Sequence, residues 1–307
     1  MGWRAPGDML PFALWANCDH TPMFNRIGLV GKPGDTKVRD TLRALLPHLQ
    51  RRRLDIVIDP HCAELLGKTH FEAATGPIGD GRDLVIAIGG DGTLLQAAHM
   101  IASYDIRLLG INVGHLGFLT DISPEEIGER INEVLDGHYE EEERLILRTH
   151  VIQGGQEFGP YDAINDVVIT KWNIARLITL ETYVNGKFVN SQRSDGLIVS
   201  TPTGSTAYAL SGGGPILHPA LDALALVPIC PHTLSNRPIV VSGNSRIEIV
   251  VGTPELDQAR LTCDGEIRCE LAPGDRILIE KADRCIRLIH PPGHDHFATL
   301  RAKLQWG

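Results

Sequence analysis

The sequence predicts an α/β amino-terminal domain built on a Rossmann-like parallel sheet, followed by a mainly β domain and a C-terminal helix that packs back on the core. Three observations support this fold class. Up to residue 144, short apolar runs alternate with helical patterns of apolar residues. Between residues 145 and 285, strand-like runs follow one another without a long helical pattern between them. The tail places apolar residues at Phe297, Leu300 and Leu304, which is the spacing of one helix.

The first part of the chain carries four apolar runs, which predict strands at residues 27–30, 54–58, 84–88 and 108–112. Helical patterns lie between them, for example at residues 94–101. Uninterrupted apolar strands that alternate with helices are typical of a parallel sheet covered on both faces. Such sheets bind ligands at the carboxyl ends of their strands. The acidic residues 140–143 are expected to end a helix.

In the second part, strands are predicted at residues 145–152, 163–170, 177–184, 197–200, 247–251, 276–279 and 286–289. We therefore expect an α/β domain over residues 23–144, completed by residues 286–307, and a mainly β domain over residues 145–285. Residues 1–22 have no periodicity and are expected to form a disordered leader.

The composition argues against several classes of protein. With 43% hydrophobic and 22% charged residues, the chain of 307 residues has an ordinary globular composition. Its formal net charge of −9 argues against a nucleic-acid or anionic-membrane surface, because both need clustered basic residues. No apolar run approaches the roughly 20 residues that span a bilayer. The six cysteines form no CxxC pair, so we expect reduced thiols and a cytoplasmic protein.

The strongest local motif is Gly-Gly-Asp-Gly-Thr at residues 89–93, directly between the predicted strand 84–88 and the next helix. Glycines let the backbone approach a polyphosphate, and the first N–H groups of a helix offer an anion site. Bare phosphate would repel Asp91, so the partner expected for its carboxylate is a hydroxyl group or Mg²⁺. For this motif alone, a tight turn with a capping aspartate is the alternative interpretation.

Two further segments are rich in polar groups. Asn165 and Asp166 lie within the predicted strand 163–170, where buried polar side chains need partners such as a base edge or ribose hydroxyls. A strand start or a bulge is the alternative explanation for them. Residues 191–215 concentrate small hydroxyl side chains and glycines, which a nucleotide pocket needs and a structural loop rarely does. Tyr208 could stack on a base or pack against the protein.

Together these segments resemble the NAD kinase family, whose hallmarks are a GGDG motif, an Asn-Glu or Asn-Asp pair, and a long SDG…STPTGSTAY…GGP stretch. Residues 110–112, 117–120 and 231–235 are also similar to family segments, so the resemblance covers most of residues 24–307. The long stretch is the most specific motif. GGDG alone is shared with diacylglycerol kinases, sphingosine kinases and phosphofructokinases.

The resemblance implies phosphoryl transfer from ATP, or from another nucleoside triphosphate or polyphosphate, to the adenosine-ribose 2′-hydroxyl of NAD. It implies Mg²⁺ as the metal, with no protein side chain assigned as its ligand, and a homo-oligomer such as a tetramer. Asp91 matches the catalytic carboxylate, and the phosphate loop comprises Gly89, Gly90, Gly92 and Thr93. The residues expected to bind NAD are Asp91, Gly92, Asn165, Asp166, Arg176, Arg193, Asp195, Thr206, Ala207, Tyr208, Ala209, Leu210 and Ser211.

Within that set, the resemblance also divides the roles. Asn165 and Asp166 match the pair on the adenosine part of NAD, although Asp166 stands where glutamate is commoner and is one methylene shorter. Asp195 matches the aspartate on the nicotinamide side, and residues 206–211 match the adenine-binding turn. Arg193 falls where Gram-negative bacterial members that prefer NAD over NADH also have arginine, so we expect this preference here.

Two other functions share some of these features. A lipid kinase of the diacylglycerol type would need an apolar entrance or a basic surface for the bilayer, and the sequence has neither. A non-catalytic NAD-binding sensor would use Asp91 only to cap a turn, and a turnover assay with NAD, ATP and Mg²⁺ would distinguish it from an enzyme. The sequence has no P-loop motif, so we expect glycine-rich backbone and Mg²⁺ to hold the phosphates. No GxGxxG follows the first strand, which argues against a dehydrogenase.

Overall fold

The computed structural model describes residues 23–67, 71–114, 117–172, 176–252 and 259–306. The predicted leader, residues 1–22, lies outside these ranges. The α/β part contains β1 (Arg26–Gly31), α1 (Thr36–Arg51), β2 (Asp55–Ile58), α2 (Pro60–Leu66), β3 (Glu72–Ala73), β4 (Leu84–Gly89), α3 (Asp91–Ile101), β5 (Arg107–Asn112) and α4 (Ile127–Leu135).

The remaining elements are mostly strands. They are β6 (Glu140–Gln153), β7 (Gln156–Ala163), β8 (Asp166–Lys171), β9 (Ile178–Val184), β10 (Lys187–Ser194), β11 (Gly196–Ser200), α5 (Tyr208–Ser211), β12 (Ala223–Ile229), β13 (Ile239–Ser242), β14 (Ile247–Val251), β15 (Ala259–Cys263), β16 (Glu266–Leu271), β17 (Arg276–His290) and α6 (His296–Leu304). In the described ranges, no helix is both long enough and apolar enough to cross a membrane.

A parallel sheet organises the first part, with its strands in the order β5-β4-β1-β2-β3. Apolar side chains of α1, α2 and α4 pack on one face of this sheet, and those of α3 pack on the other. Because both faces are covered, the strands themselves are almost wholly apolar, and β4 is buried along its entire length. The predicted parallel sheet is confirmed.

Strand β17 connects the two parts of the chain. Its second half pairs in parallel with β5, starting at Arg287↔Arg107, and its first half pairs antiparallel with β14. Strand β6 runs antiparallel along nearly all of β17, with a register shift between Lys281 and Cys285. The proposed boundaries at residues 144/145 and 285/286 therefore fall inside β6 and β17, and the division into domains stays a prediction.

A second sheet forms the other layer of the β part, with the described strands in the order β13-β12-β11-β8-β15-β16, all antiparallel. Strands β8, β11 and β15 of this second sheet share one apolar core with β6, β9, β14 and β17, which belong to the same sheet as β5-β4-β1-β2-β3. Two sheets packed face to face in this way bury alternate side chains of each strand. The mainly β character predicted for this part is confirmed.

Three local predictions were wrong. Residues 140–143 begin β6 and do not end a helix, because Glu140 to Glu143 pair with the far end of β17. The expected strand 163–170 is interrupted, since β7 ends at Ala163 and β8 begins at Asp166. The two strands expected at 276–279 and 286–289 belong to the single strand β17.

The C-terminal helix α6 is present as predicted. The side chain of Asp295 accepts a hydrogen bond of 2.8 Å from the N–H of Phe297 and so caps its first turn. Leu300 is buried, whereas Phe297 is exposed. Near the end of the helix, the Nζ atom of Lys303 lies 5.3 Å from the ring centroid of Phe118. The helix therefore packs beside the loop that follows β5.

Candidate active site

Asp91 is the first residue of helix α3, three positions earlier than the helix start near Leu94 expected from the sequence. Gly90 caps the helix without a side-chain hydrogen bond, directly after the buried strand β4. A Cβ atom at Gly90 or Gly92 would meet no protein atom within 4 Å, so both glycines face open space. Since the first N–H groups of a helix have no partner within the helix, this end of α3 can receive an anion.

The carboxylate of Asp91 is held by the loop at residues 117–119. Its Oδ2 accepts a hydrogen bond of 2.9 Å from the N–H of Phe118, and its Oδ1 accepts one of 3.0 Å from the N–H of Leu119. A Cβ atom at Gly117 would lie 2.1 Å from Oδ1, so this approach requires glycine. Each carboxylate oxygen can accept more than one hydrogen bond. Asp91 is thus fixed in place and can still accept a bond from a ligand hydroxyl.

Asp264 organises the second part of the site. Its carboxylate accepts hydrogen bonds of 2.7, 2.8 and 3.0 Å from the N–H groups of Ile164, Asn165 and Asp166. The Nε2 atom of His99, in α3, lies 2.7 Å from its Oδ2. Asp264 therefore connects helix α3 to the interruption between β7 and β8.

The sequence reasoning missed Asp264, which lies in the two-residue turn between β15 and β16. Asp264 and Gly265 have φ values of 49° and 81°, as a tight hairpin turn requires. The Asp-Gly pair between two strand-like runs could have indicated the turn. It could not have indicated that the carboxylate reaches residues 164–166. His99 lies eight residues after Asp91, so the helix sets the two parts of the site about 12 Å apart along its axis.

The stretch at residues 200–206 packs directly on Asn165. The N–H of Thr201 donates a hydrogen bond of 2.9 Å to the carbonyl of Asn165, and the hydroxyl of Thr201 donates one of 2.6 Å to the carbonyl of Ile164. A Cβ atom at Gly204 would lie 2.1 Å from the Asn165 carbonyl oxygen, so only glycine fits here. The side chain of Asn165 is half-buried and makes no hydrogen bond to any described residue. Its amide is available to a ligand.

The hydroxyl groups of the same stretch mostly hold the loop itself. Ser205 donates to the carbonyl of Pro202 and accepts from the N–H of Leu217, and Thr206 donates to the carbonyl of Thr203. The expectation that this density of hydroxyls serves a ligand stays a prediction for these side chains. Their hydrogen bonds hold this turn rigid, as a binding loop requires.

The predicted adenine-binding residues follow that turn. Thr206 closes a 3₁₀ turn that begins at Gly204, and residues 208–211 form the short helix α5. Ala209 is fully buried in a small apolar cluster with Ile198 and Val227, so it packs against the protein. Tyr208, in contrast, is 46% exposed and does not pack into the core. Its ring is free to stack on a base.

The remaining predicted site residues lie around β9 to β11. Asp195 forms an ion pair with Lys171, with 2.5 Å between Nζ and Oδ1. Arg193 is exposed on β10, and its carbonyl accepts a hydrogen bond of 2.8 Å from the N–H of His232. Its guanidinium makes no ion pair with the part of the chain that the structure describes. Arg176 is exposed at the start of the segment leading into β9.

Asp166 is buried at the beginning of β8, next to Asp264. Burial and the negative charge of Asp264 together raise the pKa of Asp166 to about 7. At neutral pH this carboxyl group therefore exchanges between a protonated form, which can donate a hydrogen bond, and an ionised form, which can only accept one.

This raised pKa predicts a pH-dependent stability. Between the ordinary pKa of 3.8 and about 7, folded Asp166 keeps a proton that the unfolded chain releases, so the unfolding free energy falls as pH rises through this window. Asp166→Asn removes the titration. The unfolding free energy of the variant minus that of wild type should therefore be greater at pH 8 than at pH 5. The expected increase is about 2–3 kcal/mol, at about 1.4 kcal/mol per pKa unit. Denaturant unfolding at both pH values measures the change, with the exposed substitution Asp283→Asn as control. The same difference at both pH values would contradict the shift.

The parts of this site define a class of protein. A parallel sheet ends in a glycine-rich turn with a fixed carboxylate at a helix N-terminus, and a β sandwich contributes a rigid polar loop linked to the same helix. This is the arrangement of a nucleotide-binding phosphotransferase, that is, a kinase.

Comparisons with known proteins identify the family. The model of the ATP-NAD kinase N-terminal domain matches residues 27–139, and that of the ATP-NAD kinase C-terminal domain matches residues 164–291. The NAD kinase of Chromohalobacter salexigens is 48% identical over 284 residues, which cover 92% of this chain and 97% of that protein. The chain therefore belongs to the NAD kinase family.

Solved structures agree with this assignment. The crystal structure of yeast NADH kinase complexed with NADH matches with a TM-score of 0.85 and 25% identity, covering 94% of this chain and 89% of that one. An NAD kinase from Archaeoglobus fulgidus in complex with ATP matches with a TM-score of 0.69 and 26% identity, covering 90% of this chain and 99% of that one.

Proposed function

We propose that this enzyme transfers a phosphoryl group from ATP to the adenosine-ribose 2′-hydroxyl of NAD and so makes NADP. The observation that carries the proposal is the carboxylate of Asp91, fixed by two backbone N–H groups at the open N-terminal end of α3. Membership of the NAD kinase family and the likeness to structures described with NADH and with ATP support the two substrates.

In this proposal Asp91 orients the accepting hydroxyl. Phosphoryl transfer has a loose transition state, so positioning and charge neutralisation supply most of the rate. Asp91 can accept a hydrogen bond from the 2′-hydroxyl while Phe118 and Leu119 prevent the carboxylate from turning away. The phosphates lie along Gly89, Gly90, Gly92 and Thr93, where Gly90 and Gly92 face open space and the helix end attracts negative charge.

The adenosine part of NAD lies between the loop at residues 117–119, which binds Asp91, and residues 164–166, which bind Asp264. The free amide of Asn165 can pair with the edge of the base, and Asp166 reaches a ribose hydroxyl. Residues 206–211 form the wall of the adenine site, with Tyr208 as the exposed ring of that wall. Asp195 then faces the nicotinamide side, and Arg176 is a further residue of the proposed NAD site. Support for these roles comes from the match to the family motifs and from the anchoring of residues 164–166 by Asp264.

Mg²⁺ is the proposed metal, and it neutralises phosphate charge. Mg²⁺ is usually held by substrate phosphates, water and one or two carboxylates and not by a full protein cage. The residues around Asp91 fit this mode, because Asp91 supplies a carboxylate with spare lone pairs at an otherwise glycine-rich turn. In the described ranges, no group of three metal-ligating side chains includes Asp91.

We also propose that the enzyme is a cytoplasmic homo-oligomer, as the family resemblance implies. The five cysteines within the described ranges are all free thiols, which fits a reducing compartment. Size-exclusion chromatography with light scattering measures the number of subunits.

The proposed reaction is tested with the purified full chain, NAD, ATP and Mg²⁺. We expect NADP to form in proportion to time and enzyme, and to stop forming when EDTA is added. Diacylglycerol in place of NAD should give no product. NAD binding without any NADP formation would instead identify a sensor and overturn the proposal.

The preference for NAD over NADH is a further prediction. The two forms differ by one positive charge on the nicotinamide ring, so direct repulsion by Arg193 would disfavour NAD and has the wrong sign. Arg193 must act indirectly, by positioning Asp195 or a neighbouring loop so that a carboxylate faces the cationic ring. Arg193 lies two residues before Asp195, which pairs with Lys171, and the N–H of His232 donates to the Arg193 carbonyl, so the Asp195 carboxylate and the loop of His232 both lie next to Arg193.

We therefore expect Arg193→Gln and Asp195→Asn each to lower the ratio of activity on NAD to activity on NADH. The interaction of one charge with the nicotinamide ring at a partly exposed site contributes about 1 kcal/mol, which corresponds to about a fivefold change in this ratio. Initial rates with both acceptors measure the ratio, and Arg43→Gln on the exposed face of α1 is the matched control. An unchanged ratio in Arg193→Gln would rule out this account of selectivity.

A further inference from the structure

Four side chains that the reaction does not use form a histidine-carboxylate cluster: Asp121, Glu142, His290 and His294. Asp121 follows the loop that holds Asp91, Glu142 lies on β6, His290 ends β17, and His294 precedes α6. Both imidazoles present Nδ1 to Asp121, with His290 in contact with its Oδ2 and His294 at 3.2 Å from the same atom. Elements distant in the sequence thus converge at this cluster.

The opposite edges of the two rings face Glu142. Nε2 of His290 lies 3.4 Å from one carboxylate oxygen, and Nε2 of His294 lies 4.0 Å from the other. The side chains of His290 and His294 are 1% and 8% exposed, yet neither Nε2 atom has a hydrogen-bond partner among the described residues. The Nδ1 atoms are therefore the ring nitrogens placed to share a ligand with Asp121, and the Nε2 atoms face Glu142.

We propose that this cluster binds one divalent transition-metal ion, of which Zn²⁺ is the best match, through Asp121, His290 and His294. One ligand atom from each of the three residues lies within 4.8 Å of the others. Tetrahedral zinc with bonds of about 2.0–2.1 Å holds its ligand atoms about 3.4 Å from one another, so Asp121 and His290 must move apart when the ion binds. The fourth position is open to water.

The donor set favours zinc over the metals that accompany ATP. Imidazole nitrogen suits Zn²⁺, whereas Mg²⁺ and Ca²⁺ prefer oxygen ligands. Histidines that bind a metal through one nitrogen commonly direct the other to a carboxylate, which fixes the ring. Glu142 is placed for that role toward both Nε2 atoms. The rings stack with their centroids 3.8 Å apart, and binding would turn each ring toward the shared ion.

Occupation of this site would connect the C-terminal segment to the active-site loop. Asp121 lies two residues after Leu119, whose N–H binds Asp91. His290 and His294 flank the turn between β17 and α6, and α6 also contacts Phe118 through Lys303. A metal bridging these residues would restrain the loop at 117–121 and helix α6 together. We therefore assign the site a structural role that supports the position of Asp91.

The experiment uses the full chain without an affinity tag, stripped with EDTA and then dialysed. The background is Cys230→Ser, because Cys230 is an exposed thiol that could bind zinc by itself. Titration with ZnCl₂ against a chromophoric chelator gives affinity and stoichiometry, and the melting temperature is recorded with and without the metal. We expect one zinc per chain, a higher melting temperature on binding, and no competition from excess Mg²⁺.

His294→Gln should weaken zinc binding by at least about 100-fold and abolish the rise in melting temperature, since it removes one of three protein ligands. His138→Gln, at an exposed position between α4 and β6, is the matched control and should bind zinc like the parent. Equal affinity in His294→Gln and the parent would place the zinc elsewhere and overturn the proposal. Absence of saturable binding at micromolar zinc would overturn it too.

Discussion

Replacing Asp91 by asparagine is expected to lower turnover by about 10²-fold or more, the lower end of a general acid-base contribution. The substitution removes the charge that orients the accepting hydroxyl. The structure adds a second effect. Asp91 accepts one N–H bond on each oxygen, and the amide of asparagine would direct its NH₂ group at one of those two donors. The loop at residues 117–119 therefore loses one hydrogen bond.

This second effect must be separated from catalysis. The melting temperature and the affinity for NAD report the loop, whereas kcat reports the chemistry, and Asp283→Asn on the surface serves as the matched control. We expect a moderate loss of stability, NAD binding within a few-fold of wild type, and a large loss of kcat. Near-normal kcat in the folded variant would remove Asp91 from the mechanism.

The second large effect is expected for Asp264→Ala. This substitution deprives three backbone N–H groups and His99 of their shared partner. Each buried donor left without a partner costs about 1–3 kcal/mol, and some of these will find water, so we expect a total loss of about 3 kcal/mol or more in unfolding free energy. NAD affinity should fall as well, because residues 164–166 lose their anchor.

Asp264→Asn is expected to have an intermediate effect. Oδ1 accepts from Asn165 and Asp166, whereas Oδ2 accepts from Ile164 and faces His99. An asparagine with its oxygen in the Oδ1 position keeps two of the three amide bonds, so its stability and NAD affinity should fall between those of wild type and alanine. Denaturant unfolding and NAD titration measure both quantities. Wild-type values in Asp264→Ala would show that the three amide bonds do not hold the site.

The sequence by itself determined the features that depend on neighbours along the chain. Strands β1, β4 and β5 and helix α1 could be predicted because an apolar run or a helical periodicity is a local pattern. The position of Asp91 between a strand and a helix could be predicted for the same reason, since glycines mark the turn. Asn165 and Asp166 could be singled out because polar groups in a strand-like context are unexpected. Residues 191–215 could be singled out because they are rich in small hydroxyl side chains and glycines and because their motif resembles a known family.

Only the tertiary structure decided which distant groups meet. Glu140 to Glu143 form a strand because β17, more than a hundred residues later, supplies their hydrogen-bond partners, and this pairing outweighs local helix preference. The same holds for the side chains: Asp264 reaches Asn165 across 99 residues, and Lys171 at the end of β8 pairs with Asp195 between β10 and β11. A carboxylate has no sequence pattern that reveals its partner, because hydrogen bonds and ion pairs depend on distances that exist only after the sheets have packed.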